Sequence, residues 1–154
     1  MTLDEILAFF DRIGLPYRTA EVTAGFLPGL MTDRGCLLVD AARLTHPGDA
    51  LHEAGHIAVA PADQRASLTG DVFACGQDTG DEMAAIAWSW AALQAIGGAP
   101  EALFHADGYK GSSEAYIQAF TSGGGFGYPL LAWYGMTAMP GQPDGFPAMG
   151  RWMR

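Results

Sequence analysis

His52-Glu53-Ala54-Gly55-His56 is the stretch on which the reading of this chain turns. On a helix, positions i and i+4 stand one turn apart on one face. Two imidazoles at that spacing reach one metal ion from the same side. The glutamate beside the first of them lies close enough to hold a water next to the ion and take its proton. This is the pattern of the His-Glu-x-x-His zinc hydrolases. With four histidines in 154 residues, such a string seldom arises by chance. The competing reading is a helix with two solvated histidines. It is distinguished by three conditions: the string must be helical, one face must be buried, and a third ligand must exist.

The flanking residues suit a helix over about 47–60. Pro47 fits a first turn and Pro61 ends the pattern. Gly55 costs about 1 kcal/mol of helix propensity relative to alanine, which a close backbone approach would offset. Upstream, Thr2 and Glu5 have capping-box spacing ahead of an apolar stripe at Ile6, Leu7, Phe9, Phe10 and Ile13, and Gly14 stops that helix. Extended pieces are expected around 17–22 and 26–30. Asp33-Arg34-Gly35 reads as a turn, and the apolar run 36–40 as a buried strand. Downstream, 62–80 reads as a loop. A long helix starts near Asp78–Asp81, where acids suit the positive end of the helix dipole. It continues over 82–96 and is apolar almost all round, so it is expected to be central. Short helices are expected at 100–105 and 113–120. The glycine run 123–127 reads as a flexible connection, since no Gly-Lys-Ser/Thr follows to make a phosphate loop. A short apolar helix or packed segment over 128–136 leads into an irregular surface tail over about 138–154. No repeat or linker divides residues 1–154, which read as one domain.

Composition narrows the function classes. A chain of 154 residues with 49% hydrophobic and 16% charged residues is that of a globular domain. A net charge of −9, with scattered basic residues, argues against nucleic-acid binding. No window approaches twenty apolar residues and no leader pattern is visible, so no membrane span and a cytoplasmic location are expected. Cys36 and Cys75 are too few for a disulfide scaffold and read as small buried hydrophobes. Trp88, Trp90, Trp133 and Tyr134 read as core residues.

A catalytic zinc takes three protein ligands and keeps a position open. Besides His52 and His56, the leading candidate is Glu82, because a carboxylate on so apolar a helix needs a partner or a metal. Asp81, Asp78, His105 and His46 compete with it, and Glu82 also reads as a surface acid at the helix start. The mechanism these residues imply is metal-assisted hydrolysis with Glu53 as general base. Tyr109, His105 and Tyr116 are candidate donors to a developing oxyanion, and each also reads as an ordinary packing or surface residue. Asp40 or Asp81 is a candidate to orient an imidazole from behind.

His-Glu-x-Gly-His, followed 26 residues after its second histidine by Glu82-x-x-Ala85-x-x-Trp88, resembles the ImmA/IrrE-type zinc metallopeptidases over roughly residues 13–95. The short strand and small connection ahead of the motif helix are similar too. The chain departs from that family after Ala60 and in the Gly- and aromatic-rich segment 108–136. The resemblance implies a zincin-like domain: α+β, mostly helical, with a small sheet packed on the active-site helices. It also implies a zinc ion and a peptide or protein substrate, possible regulatory proteins among them. The rival class is a non-catalytic metal-binding domain that holds a partner or ligand through its aromatic C-terminal half.

Overall fold

Local signals set the first helix. The Thr2 hydroxyl accepts from the Glu5 amide, and the Glu5 carboxylate accepts from the Thr2 amide at 2.7 Å. Helix α1 runs Leu3–Ile13 and stops at Gly14, whose φ of 71° is available to glycine at little cost. Ile6, Phe9 and Phe10 form its buried face. The structure is a computed structural model that describes residues 1–23, 25, 27–122 and 124–154.

Three strands follow: β1 (Tyr17–Thr19), β2 (Leu30–Asp33) and β3 (Cys36–Val39). They form one sheet in the order β1-β3-β2, with β1 parallel and β2 antiparallel to β3. The expected turn is the β2–β3 hairpin: Arg34 and Gly35 both have positive φ, which matches the twist of paired strands. The extended piece expected over 26–30 is not where the strand lies. Residue 26 falls outside the described residues, and the hairpin register pairs Leu30 with Val39 and Asp33 with Cys36.

Helix α2 (Asp49–Val59) begins two residues later than Pro47 suggested, after a turn closed by the Asp49 amide on the His46 carbonyl. Helix α3 (Thr79–Ile96) is capped by Asp78, which accepts from Gly80 and Asp81. Gly97, at φ 81°, ends it. As expected, α3 is the central element, with Ala84 to Leu93 buried without interruption. It packs chiefly on α2 and also meets α1, α4 (Pro100–Leu103) and α6 (Tyr128–Trp133). Helix α5 (Ser113–Thr121) lies between α4 and α6 in sequence. Residue 123 of the glycine run lies outside the described residues.

The architecture is thus α+β and mostly helical, with six helices and a three-stranded sheet among the described residues. No helix among them is long and apolar enough to cross a membrane.

The tail after α6 is irregular and mostly exposed, as expected, but its last residues dock on the helices. The Trp152 carbonyl accepts from the Trp88 indole at 2.9 Å, and the Trp152 ring packs edge-on to Phe9 at 4.8 Å. The Arg154 amide donates to the Ala58 carbonyl. Arg65, in a single 3-10 turn at Arg65–Ser67, donates to the carbonyls of Ile57, Ala60 and Arg154. Two cations therefore satisfy carbonyls that the end of α2 leaves open. Trp133 also departs from expectation: it is 84% exposed, because Leu131 takes the inward face of the six-residue α6.

Candidate metal centre

The site starts at a contact without side chains. A Cβ built on Gly55 would meet the Ala85 carbonyl oxygen at 2.7 Å. Glycine therefore lets α2 and α3 approach more closely than any other residue would. Ser89 ties the same seam, donating to the carbonyls of Leu51 and Ala85. This approach brings Glu82, in the first turn of α3, over the histidine face of α2.

His52, His56 and Glu82 meet there, as a group whose ligand atoms all lie within 4.8 Å of one another. The two Nε2 atoms are 3.3 Å apart. His56 Nε2 lies 3.1 Å from Glu82 Oε2, and His52 Nε2 lies 3.6 Å from Glu82 Oε1. Tetrahedral zinc with bonds of about 2.0–2.1 Å holds its donor atoms about 3.3 Å from each other. The three donors fit such an ion in type and in mutual spacing. Exposure rises from 3% at His56 through 15% at His52 to 29% at Glu82, so the group faces solvent on its Glu82 side.

Gln77 supports the site from behind, and no feature of the sequence marked it. Its Oε1 lies 2.7 Å from His56 Nδ1, and its Nε2 donates to the His56 carbonyl at 2.9 Å. Because the amide nitrogen is committed to that carbonyl, Oε1 takes the proton of Nδ1 and leaves the Nε2 lone pair facing Glu82. Asp40 and Asp81, the residues expected in this role, work elsewhere. Asp40 accepts from the amides of Val22 and Ala42, and Asp81 completes the cap of α3 with Asp78. His52 Nδ1 is buried with no partner among the described residues.

Charge and burial set the protonation states of the metal-free group. Burial and the neighbouring His56 lower His52 to about 4, against the pull of Glu82. Burial would also lower His56, but its hydrogen bond to Glu82 and the charges of Glu53 and Glu82 prevail and raise it. Burial opposes ionisation of Glu82, yet the bond to His56 and the charges of His52, His56 and Lys110 hold it below the usual value. Glu53, on α2 next to His52, is raised by burial and by the negative charges of Glu82 and Asp49. A basic carboxylate beside the ligands is what a general base requires.

Tyr109 packs its ring edge-on to His52 at 5.7 Å. Its hydroxyl is buried without a partner among the described residues, and burial with the charges of Asp49, Glu82 and Glu53 pushes its pKa up. The other candidates lie apart from the triad. His105 Nε2 pairs with Asp49 Oδ1 at 2.9 Å, and its ring stacks on His46 at 3.7 Å. His46, His105 and Asp107 make a second polar group. Imidazole lone pairs lie in the ring plane, so two stacked parallel rings present them side by side instead of converging on one ion. Tyr116 packs among Phe104, Tyr109 and Phe126. Cys36 and Cys75 are free and half-buried, so neither is the fully buried hydrophobe expected.

No family model, no curated protein and no solved structure matches the chain.

Proposed function

We propose that the chain is a zinc-dependent peptidase. The observation that carries this reading is the triangle of donor atoms from His52, His56 and Glu82, with edges of 3.3, 3.1 and 3.6 Å. The resemblance of the two helix motifs to ImmA/IrrE-type metallopeptidases points the same way. His52, His56 and Glu82 would hold the ion. A zinc ion bound there supplies Lewis acidity toward a water and a scissile carbonyl. Glu53 takes the proton of the attacking water and passes it to the leaving amine. The Tyr109 hydroxyl, which has no partner among the described residues, donates to the oxygen that becomes negative. Gln77 holds the His56 ring in the tautomer that can ligate.

Glu53→Gln and Glu82→Ala test the reading together. Glu53→Gln should keep one zinc per chain and lose peptide hydrolysis by at least about a hundredfold. Glu82→Ala should lose most of its zinc, as measured by metal analysis of the purified protein. Full zinc content in Glu82→Ala sinks the ligand assignment. Undiminished cleavage by Glu53→Gln sinks the proposed base. If native zinc-loaded protein cleaves no peptide in a random library, the site is a metal staple.

A further inference from the structure

Lys110 is the only lysine in a chain of net charge −9. The seven arginines all have partners among the described residues. Arg18, Arg34 and Arg43 pair with carboxylates. Arg65, Arg151 and Arg154 donate to carbonyls, and Arg12 lies over the Phe9 ring. Among the described residues, Lys110 and Arg12 have neither a hydrogen bond nor a carboxylate within 4.0 Å, and of the two only Arg12 has an aromatic ring beneath it, so Lys110 alone of the eight basic side chains has none of the three.

Its position is held firmly. Lys110 is exposed and sits in the 3-10 turn Tyr109–Gly111. Tyr109, Lys110 and Gly111 all have positive φ, at 53°, 53° and 82°. L side chains seldom adopt that region, so the surroundings must impose it. They do so through Tyr109, whose ring is wedged between His52 at 5.7 Å, Phe104 at 5.1 Å and Tyr116 at 5.3 Å. The residue that anchors the turn therefore touches a ligand of the candidate metal centre, and the unpaired ammonium follows it directly. Its charge is felt at Glu82, on the solvent side of the site.

We infer that Lys110 binds a carboxylate of the substrate, so that the peptides acted on at this site carry a negative group close to the bond that is cut. The inference rests on the peptidase reading. The carboxylate is either the free C-terminus of the substrate or an acidic side chain.

Two measurements on the zinc-loaded full chain test it. The first compares binding of succinic acid monohydroxamate with that of its neutral carboxamide analogue, both of which anchor on zinc through the hydroxamate. The acid should bind about three- to tenfold more tightly, and the advantage should shrink with added salt. Lys110→Gln should abolish the advantage and Lys110→Arg should keep it, with zinc content and melting temperature as in the native chain. The second measurement compares hydrolysis of N-acetyl-tetraalanine, its C-terminal amide, and the amide with one alanine replaced by glutamate. Preference for the first identifies a C-terminal carboxylate and preference for the third an acidic side chain. In either case Lys110→Gln should raise KM and leave kcat nearly unchanged. Equal affinity for acid and carboxamide, or equal cleavage of all three peptides, overturns the carboxylate inference while the peptidase reading stands. Failure of both hydroxamates to bind, together with no cleavage, overturns both.

Discussion

At His56, proton and metal compete for one nitrogen. The bond to Glu82 raises the His56 pKa above its usual 6.5 in the metal-free chain, and His56 lowers Glu82 below its usual 4.5. A raised histidine stabilises the fold below its unfolded pKa and loses that effect as pH rises through the folded value. A lowered carboxylate stabilises above its unfolded pKa and loses the effect as pH falls through the folded value. The pair therefore supports the metal-free fold most fully between 4.5 and 6.5. Zinc must displace the His56 proton, so its affinity should fall as pH drops through the raised value. His52, lowered to about 4, has no proton to lose in that range. Competition with a chelator should show the zinc affinity falling as pH drops from about 7 to about 5. Affinity that stays constant over that range would mean that His56 is not a ligand.

Among the elements, the α2–α3 seam decides whether the donors meet. Gly55→Ala adds a Cβ 2.7 Å from the Ala85 carbonyl oxygen, a backbone atom that cannot swing aside. Overpacking of this kind costs about 1–3 kcal/mol, against about 1 kcal/mol gained in helix propensity. The variant should be less stable by about 1 kcal/mol in urea and should bind zinc more weakly in competition with a chelator. Native stability and affinity would show that the close approach is incidental. This part of the site was legible in the sequence, because the motif spacing, the glycine within it and the acid at the next helix start are local signals. Glu82 was legible as the leading candidate because a carboxylate on so apolar a helix needs a partner, and the structure separates it from its rivals. Asp78 and Asp81 lie four and one residues earlier and are consumed by the cap. Gln77 was not legible: it reaches His56 across 21 residues from a loop with no period. The Tyr109–Gly111 turn was missed for a similar reason. Packing of Tyr109 on His52, Phe104 and Tyr116 imposes its positive φ values, and only its last residue is a glycine.

Over the whole molecule, the two ends of the chain meet on the central helix. Phe9 from α1, Trp88 from α3 and Trp152 from the tail form one aromatic cluster, with rings 4.8 to 6.2 Å apart. Composition could not reveal this, since Trp152 lies in a stretch rich in proline and glycine and is recruited across 64 residues. Trp152→Ala should cost about 3 kcal/mol, read from chemical denaturation, and it should loosen the end of α2 that Arg154 and Arg65 hold. A loss below about 0.5 kcal/mol would place the tail outside the cooperative fold. The distribution of cations has a practical side. The only side-chain amine in the molecule is that of Lys110, which directly follows Tyr109, whose ring packs on His52. An amine-reactive fluorophore or crosslinker that spares the N-terminus would therefore attach at one address, next in sequence to a residue that packs on the site it is meant to watch.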